Sequence, residues 1–208
     1  AHTHTHTHTH THTHTHTHTH TSVRVFLCFL MLLSFGFTSS RWTCGLLDAG
    51  LRELQEETGL KLESDEVCPK ILGLWESVYP PMLSRGLPQR HHIVVYMLLH
   101  SSLSHLQLQS SLSPSPAEVS ACLWADSRLV RAIVSAVDGE DGDVRLDELP
   151  NSISVSQVSA DGALSDVTLP LEVLVSRAPT CGPDVERVST GTKFALELWL
   201  RSLEAPDP

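Results

Sequence analysis

The chain has 208 residues, 18% of them charged, and a formal net charge of −10 at pH 7. All 24 acidic residues lie at or after Asp48, so the negative charge belongs to the later part of the chain. This balance argues against a broad nucleic-acid-binding surface, which neutralises phosphates with basic residues, but it permits a small phosphorylated substrate held through a metal.

The first segment is a repeat of two residues. His and Thr alternate from His2 to Thr21, so that 10 of the 14 histidines lie in one tract. A strand with this period would present its imidazoles on one face and could gather divalent metal. The alternative is genetic, because a CA dinucleotide repeat read in frame encodes His and Thr and is typical of non-coding DNA. The tract has no large apolar side chains to bury, so we predict that residues 1–22 are disordered.

A hydrophobic leader-like segment follows at residues 23–40. Its apolar run from Val25 to Phe37 has roughly 13 residues, fewer than the ~20 of a membrane-spanning helix and close to a signal-peptide core. A secretory signal does not normally follow a long polar repeat. We therefore expect an intracellular, cytoplasmic protein without a membrane partner, unless residues 23–37 are a genuine signal or anchor.

From Leu46 the pattern is that of an amphipathic helix. Leu47, Leu51 and Leu54 recur at spacings of four and three residues, and Gly59 stands where the helix would end. These positions predict a helix that buries its leucines.

Three glutamates share the other side of this helix. Glu53, Glu56 and Glu57 fall within an arc of roughly 100°. Like charges at this spacing repel each other, and no lysine relieves them. Mg²⁺ or Mn²⁺ prefers oxygen ligands and could bind diphosphate oxygens as well, and Arg52 can orient a carboxylate. The alternative is a solvated acidic face without a ligand.

The same residues form a recognisable motif. Positions 52–60 read Arg-Glu-Leu-Gln-Glu-Glu-Thr-Gly-Leu and match every fixed position of R-E-U-x-E-E-x-G-U, the second half of the Nudix box, where U is aliphatic. The chain therefore resembles the Nudix hydrolases, which cleave diphosphate linkages in nucleoside diphosphate derivatives by metal-assisted attack of water on phosphorus.

The resemblance implies roles for particular residues. Glu53, Glu56 and Glu57 would be ligands of Mg²⁺ or Mn²⁺, with Glu53 also catalytic and Arg52 orienting the carboxylates. Glu118 is a candidate for a further acidic residue near the metal, the alternative being a strand-edge carboxylate in solvent. The substrate would be a nucleotide-type diphosphate, such as a capped RNA end or an NADH-like dinucleotide. No substrate-binding residue can be named.

The first half of the box is absent. Its Gly and Glu should stand at positions 38 and 44, where this chain has Thr38 and Cys44. We therefore expect residues 41–208 to form a partial Nudix hydrolase domain, an α/β/α sandwich that is incomplete because its N-terminal strands are missing. The alternative function is a catalytically impaired, truncated or mispredicted isoform without hydrolase activity.

Further elements follow towards the C-terminus. Residues 93–99 have a buried-strand pattern with His91 and His92 at its entrance, which are structural or solvated unless they contact a nucleotide. Another strand should end near Trp124, and Asp126 should cap a helix over residues 126–136. The tryptophans Trp75, Trp124 and Trp199 are expected in the core rather than as base-stacking platforms.

The last third contains a loop, a strand and a helix. Residues 138–143 resemble a calcium loop only in composition, so we predict a solvated acidic loop. A strand is expected over residues 167–175. A final helix should span residues 192–203, with Phe194, Leu198 and Leu203 facing the core.

Overall fold

A computed structural model describes residues 24–27, 42–79, 86–140, 144, 146, 149–179, 181, 185 and 187–204. The predicted His-Thr repeat lies outside the described residues, as does the predicted leader apart from residues 24–27. A domain boundary at residue 41 stays a prediction.

The described elements are six strands, four α-helices and one 3₁₀ turn. In chain order they are β1 Arg24–Leu27, α1 Trp42–Thr58, β2 Val67–Tyr79, β3 Arg90–Ser101, α2 His105–Ser110, β4 Ala121–Asp126, α3 Ser127–Ser135, β5 Ser152–Val158, β6 Leu164–Pro170, a 3₁₀ turn Leu171–Val173 and α4 Thr190–Glu204. The mixed α/β class predicted from the sequence is confirmed.

The strands form two antiparallel sheets. One has the order β1-β4-β5-β6, and the other is the long hairpin β2-β3. Strand β1 pairs with β4 from Arg24↔Asp126 to Leu27↔Leu123, so part of the leader-like segment lies in the larger sheet.

The main core lies between the larger sheet and helices α3 and α4. Its buried members include Leu123, Ile133, Val155, Leu196 and Trp199. Leu196 and Trp199 stand three residues apart on α4, the spacing of a helix that buries one stripe. The buried position of Trp199 agrees with its prediction as a core residue.

Helix α4 also packs on the β2-β3 hairpin. A Cβ on Gly73 would lie 2.7 Å from Cδ1 of Leu198, so any larger residue there would require the Leu198 side chain to move. The rings of Trp75 and Phe194 have centroids 5.3 Å apart. The prediction that Leu203 faces the core is wrong, because α4 runs past the core and leaves Leu203 42% exposed.

The loop after α3 differs from its prediction at Asp138, whereas Glu140 is exposed as predicted and residues 141–143 lie outside the described residues. Asp138 is not a solvated carboxylate, because Arg187 Nε donates to its Oδ2 at 2.9 Å and the N–H of Ala178 donates to its Oδ1 at 3.0 Å. Lys193 of α4, which is buried, has its Nζ 3.5 Å from the same Oδ1 and donates to the carbonyl of Ala136. The loop therefore ties α3 to α4 through a partly buried ion-pair network.

The strand predicted over residues 167–175 is correct only in its first half. Strand β6 ends at Pro170, and the chain then forms a 3₁₀ turn. Leu171, at the start of that turn, is 2% exposed. The apolar run therefore reflects burial rather than a continued strand. Strands β1, β2 and β5 and helix α2 were not predicted.

The N-cap of α3 matches its prediction. Asp126 accepts a hydrogen bond from the Leu129 N–H at 2.9 Å and contacts Arg128 Nη2 at 2.9 Å. Burial raises the pKa of Asp126, but these hydrogen bonds and the Arg128 charge outweigh it, so the pKa is lowered overall.

We expect Asp126→Ala to destabilise the protein by about 1 kcal/mol, because a helix N–H loses its acceptor. Asp126→Asn should retain most of the stability, since an amide oxygen also caps a helix. Urea denaturation of the three proteins measures this, and equal losses for Ala and Asn would show that the charge, not the cap, matters.

In the described part of the chain, no helix has both the length and the apolar composition needed to cross a membrane.

Candidate active site

The helix with the acidic motif is α1, and it ends as the sequence predicts. Gly59 has φ +74° and donates its N–H to the Gln55 carbonyl at 2.9 Å, which is a glycine stop. Thr58 is fully buried, and its hydroxyl donates to the Leu54 carbonyl at 2.6 Å. The last turn of α1 is therefore fixed immediately after the candidate metal ligands.

The segment before β4 satisfies the end of α1. The N–H of Ser113 donates to the Thr58 carbonyl at 2.9 Å, and the N–H of Ser115 donates to the Glu57 carbonyl at 2.8 Å. These carbonyls have no partner within the helix, so the N–H groups of Ser113 and Ser115 supply the missing hydrogen bonds. The backbone of Glu57 is thereby held from outside its own helix.

Gly59 meets this segment so closely that no larger residue fits. A Cβ there would lie 2.7 Å from both Cβ and the carbonyl oxygen of Ser113. We expect Gly59→Ala to cost about 2–4 kcal/mol, from the left-handed backbone and this contact together.

Gly162→Ala is the matched control for the Gly59 substitution. Gly162 has φ +83°, but its Cβ would meet nothing within 4 Å, so the backbone alone should cost about 1 kcal/mol. Chemical denaturation gives the free energy of unfolding of both variants. Equal losses for Gly59→Ala and Gly162→Ala would rule out a tight contact at Ser113.

Arg52 contacts two of the three glutamates. Its Nη2 lies 3.3 Å from Glu53 Oε1, and its Nε lies 3.8 Å from Glu56 Oε1. The guanidinium is 62% exposed, so these contacts are worth little for stability. They place the guanidinium beside both carboxylates, while the role of Arg52 as an orienting residue stays a prediction.

The three carboxylates differ in burial. The side chain of Glu56 is 60% exposed, that of Glu53 is 16% exposed, and Glu57 as a residue is 2% exposed. The helix thus offers one carboxylate to solvent, one at the boundary and one inside. Since charges interact more strongly away from water, a cation near Glu53 and Glu57 would be held more firmly than one on an open acidic face.

The donors suit a hard divalent cation, but the side chains do not converge on one point. Among the described residues, no three His, Cys, Asp or Glu side chains form a group that could hold a metal ion. Carboxylate oxygens are the ligands that Mg²⁺ and Mn²⁺ prefer. The donor set therefore fits the ion in chemistry, while Arg52 holds Glu53 and Glu56 in the described conformation.

Two other predicted candidates lie apart from this arrangement. Glu118 is exposed in the turn before β4, and its N–H donates to the carbonyl of Ser115, the residue that bonds to Glu57. It thus follows the segment that meets the end of α1. His91 pairs across the hairpin with Glu76, Nε2 to Oε1 at 2.7 Å, and not with a carboxylate of α1.

A polar groove beside α1 escaped the sequence reasoning. It has a volume of about 250 Å³ and is lined by both Arg52 and Lys61, together with Asp48, Gln55, Glu63 and Ser64. Lys61 follows the motif directly but belongs to no helical pattern, so no periodic signal marked it. The groove brings two cationic side chains to one edge of the acidic helix.

Fold and motif together define a class: a Nudix-type α/β protein whose motif helix carries the acidic signature. No family model matches the chain. It is 66% identical over 160 residues to the protein named m7GpppN-mRNA hydrolase NUDT17 of Danio rerio, covering 76% of this chain and 53% of that protein.

Relatives of the same name occur in other vertebrates. Identity is 52% over 155 residues in Xenopus laevis, with 74% of this chain and 50% of the relative covered. It is 46% over 164 residues in Homo sapiens, with coverages of 78% and 50%. The resemblance to Nudix hydrolases is confirmed, and the chain spans about half the length of the curated relatives it matches.

Proposed function

We propose that the chain hydrolyses a diphosphate linkage in a nucleoside diphosphate derivative, with Mg²⁺ or Mn²⁺ as cofactor. The observation that carries the proposal is the complete acidic motif on one helix, with Arg52 in contact with both Glu53 and Glu56. An arginine shared by two carboxylates orders them without the lysines that a merely solvated helix would carry.

The roles of the residues follow from their positions on α1. Glu53, Glu56 and Glu57 would hold the ion through carboxylate oxygens. When bound, the ion would neutralise charge on the diphosphate and lower the pKa of a water molecule. Glu53, at the boundary of solvent, is positioned to accept the proton of the attacking water, and Arg52 orients its carboxylate.

The groove beside α1 supports a nucleotide-type substrate. Arg52 and Lys61 line the same groove, and both can pair with phosphate oxygens. Lys61 Nζ lies 3.4 Å from Glu63 Oε1. Because this ion pair is exposed, a phosphate could replace Glu63 as the partner of Lys61 at small cost in free energy. With a volume of about 250 Å³ the groove is local, in keeping with the net charge of −10 and the lack of a broad basic composition.

Among diphosphate substrates, a capped RNA end is the first to test, because the relatives are named m7GpppN-mRNA hydrolase. An NADH-like dinucleotide is the second. Both contain phosphoanhydride bonds between two nucleosides, within a triphosphate bridge in the cap and a diphosphate bridge in NADH, so the same carboxylates could serve either.

The test is a hydrolysis assay on the full chain, with capped RNA and NADH as separate substrates. We expect nucleotide products of phosphoanhydride cleavage only when Mg²⁺ or Mn²⁺ is present. A chelator should abolish the activity, and addition of either ion should restore it. Lys61→Ala should raise KM more than it lowers kcat. Absence of turnover of both substrates with either ion would refute the proposal and favour an inactive chain.

A further inference from the structure

A cavity lies in the main core, away from α1. It has a volume of about 270 Å³ and lies between the larger sheet and helices α3 and α4. Its lining includes Ile133 of α3, Leu196 of α4 and Val155 of β5, all buried. None of its lining residues belongs to α1, so it is a separate feature from the candidate active site.

The sheet register shows which side chains face this space. Val155 pairs with Val167, and the next position on the same face pairs Ile153 with Leu169. Val167 and Leu169 both line the cavity, whereas Thr168 between them is exposed and does not. The alternation of strand β6 therefore places two apolar side chains at the cavity and a polar one outside.

The cavity is partly open to solvent, since Val167, Leu169 and Leu174 on its wall are half-buried, and it is much larger than the voids of a packed core. Cores are packed almost without voids larger than a water molecule. An apolar cavity of about 150 Å³ remains dry and can bind benzene, because water finds no hydrogen-bond partners there. A larger apolar space among Ile133, Val155 and Leu196 is thus better suited to an organic molecule than to water.

The mouth of the cavity is polar, whereas its interior is apolar. Ser120 and Gln157, both exposed, and the half-exposed Thr192 supply hydroxyl and amide groups to the lining. No Asp, Glu, Lys, Arg or His lines this cavity among the described residues. A ligand would thus bury an apolar body and hydrogen-bond through one neutral polar group at the rim.

We propose that this cavity is a binding site for a small neutral molecule with an aromatic or short aliphatic body and one hydroxyl or amide group. Because no charged side chain of the described residues lines the cavity, we expect it to bind a phosphorylated ligand poorly, which separates this site from the substrate groove. The ligand would stabilise the native state, because it would supply contacts that the cavity walls lack.

The experiment uses the full chain and the probe 2-naphthol, a rigid aromatic with one hydroxyl. We expect saturable one-to-one binding by titration calorimetry, and a rise in Tm of about 3–6 °C when the free probe exceeds its Kd tenfold. The charged analogue 2-naphthoate should bind at least about tenfold more weakly, because its carboxylate would lose hydration at an uncharged rim.

Two variants fill the cavity and one serves as a matched control. Val167→Phe and Leu169→Phe should each weaken binding at least about tenfold, since the new ring occupies the space of the probe. Thr168→Phe adds the same ring to the opposite face of β6 and should bind like the parent. Circular dichroism and Tm without probe establish that each variant is folded.

The wild-type titration keeps the proposal open to refutation even if a filling variant fails to fold. Non-saturable binding or an unchanged Tm would overturn it, as would equal affinity for the neutral and charged probes. Equal affinity of the folded filling variants and Thr168→Phe would also overturn it.

Discussion

Replacing Glu53 by Gln is expected to lower kcat/KM for diphosphate hydrolysis by about 10²–10⁴-fold. The substitution keeps the size of the side chain but removes the charge that would hold a cation and the base that would accept a proton. Glu53 Oε1 lies 3.3 Å from Arg52 Nη2, so the uncharged amide also loses an ion pair with its orienting residue. Steady-state kinetics with either capped RNA or NADH, whichever is turned over, measures the effect.

Matched glutamine substitutions separate this role from a general loss of acidity. Glu56→Gln should also reduce activity, because Glu56 shares Arg52 with Glu53 at 3.8 Å. Glu172→Gln, at an exposed position in the 3₁₀ turn, should leave kcat/KM unchanged. If Glu53→Gln and Glu172→Gln had the same activity and Tm, the acidic face of α1 would be a solvated surface and not a catalytic one.

The second large effect is expected at Asp138, where truncation to Ala should destabilise the protein by about 3–5 kcal/mol. Asp138 accepts hydrogen bonds from Arg187 and from the N–H of Ala178, and it forms an ion pair with Lys193. Because Lys193 is only 8% exposed, its ammonium would be left without this counter-charge in a poorly hydrated position. Urea or guanidinium denaturation at neutral pH gives the free energy of unfolding.

An exposed neighbour serves as the control for Asp138. Glu140→Ala removes a carboxylate two residues further along the loop and should change stability by less than about 0.5 kcal/mol. Asp138→Asn keeps a hydrogen-bond acceptor but not the charge. Its loss in free energy of unfolding should therefore lie between those of Asp138→Ala and Glu140→Ala. A loss at Asp138 no greater than that at Glu140 would mean that the ion-pair network contributes nothing measurable.

The contribution of Asp138 should also depend on pH. Burial raises its pKa, but hydrogen bonds from Ala178 and Arg187 and the charges of Lys193 and Arg187 outweigh this, so its pKa is lowered in the folded protein. The contribution is therefore complete above the unfolded pKa of about 3.9, and it is lost as pH falls through the lower folded pKa. The difference in stability between the parent and Asp138→Ala should stay constant from pH 7 to about pH 5 and shrink progressively as the pH falls from about 4 towards 2. A difference that stays constant down to about pH 2 would contradict an ionised Asp138 as the stabilising species.

Elements with a strong local signal were predictable from the sequence. The leucine spacing and Gly59 located the later part of α1 and its end, although α1 begins at Trp42 and not near Leu46, and Asp126 located the start of α3. In both cases the determining hydrogen bonds join residues three or four apart, so the chain itself carries the complete signal. The apolar run of residues 93–99 likewise lies within β3.

Elements that depend on partners were missed or wrong. Strand β5, Ser152–Val158, alternates serines with Ile153 and Val155, a strand pattern that is short and weakly apolar, and β4 and β6 pair with it on either side. The strand predicted beyond Pro170 fails because the buried Leu171 belongs to a turn. Hydrophobic pattern measures burial, which a turn against the core can produce as well as a strand.

The sequence by itself determined the relationship to the Nudix hydrolases, the acidic face of α1 and the orienting Arg52, since all lie within nine consecutive residues. Only the tertiary structure decided that Lys61 shares a groove with Arg52, that Ser113 and Ser115 complete the end of α1, and that a cavity opens between sheet and helices. It also decided that Asp138 meets Lys193, far along the chain. Such contacts join residues distant in sequence. They cannot be predicted from periodicity or from local hydrogen bonding, because both of these relate only residues that are close in the chain.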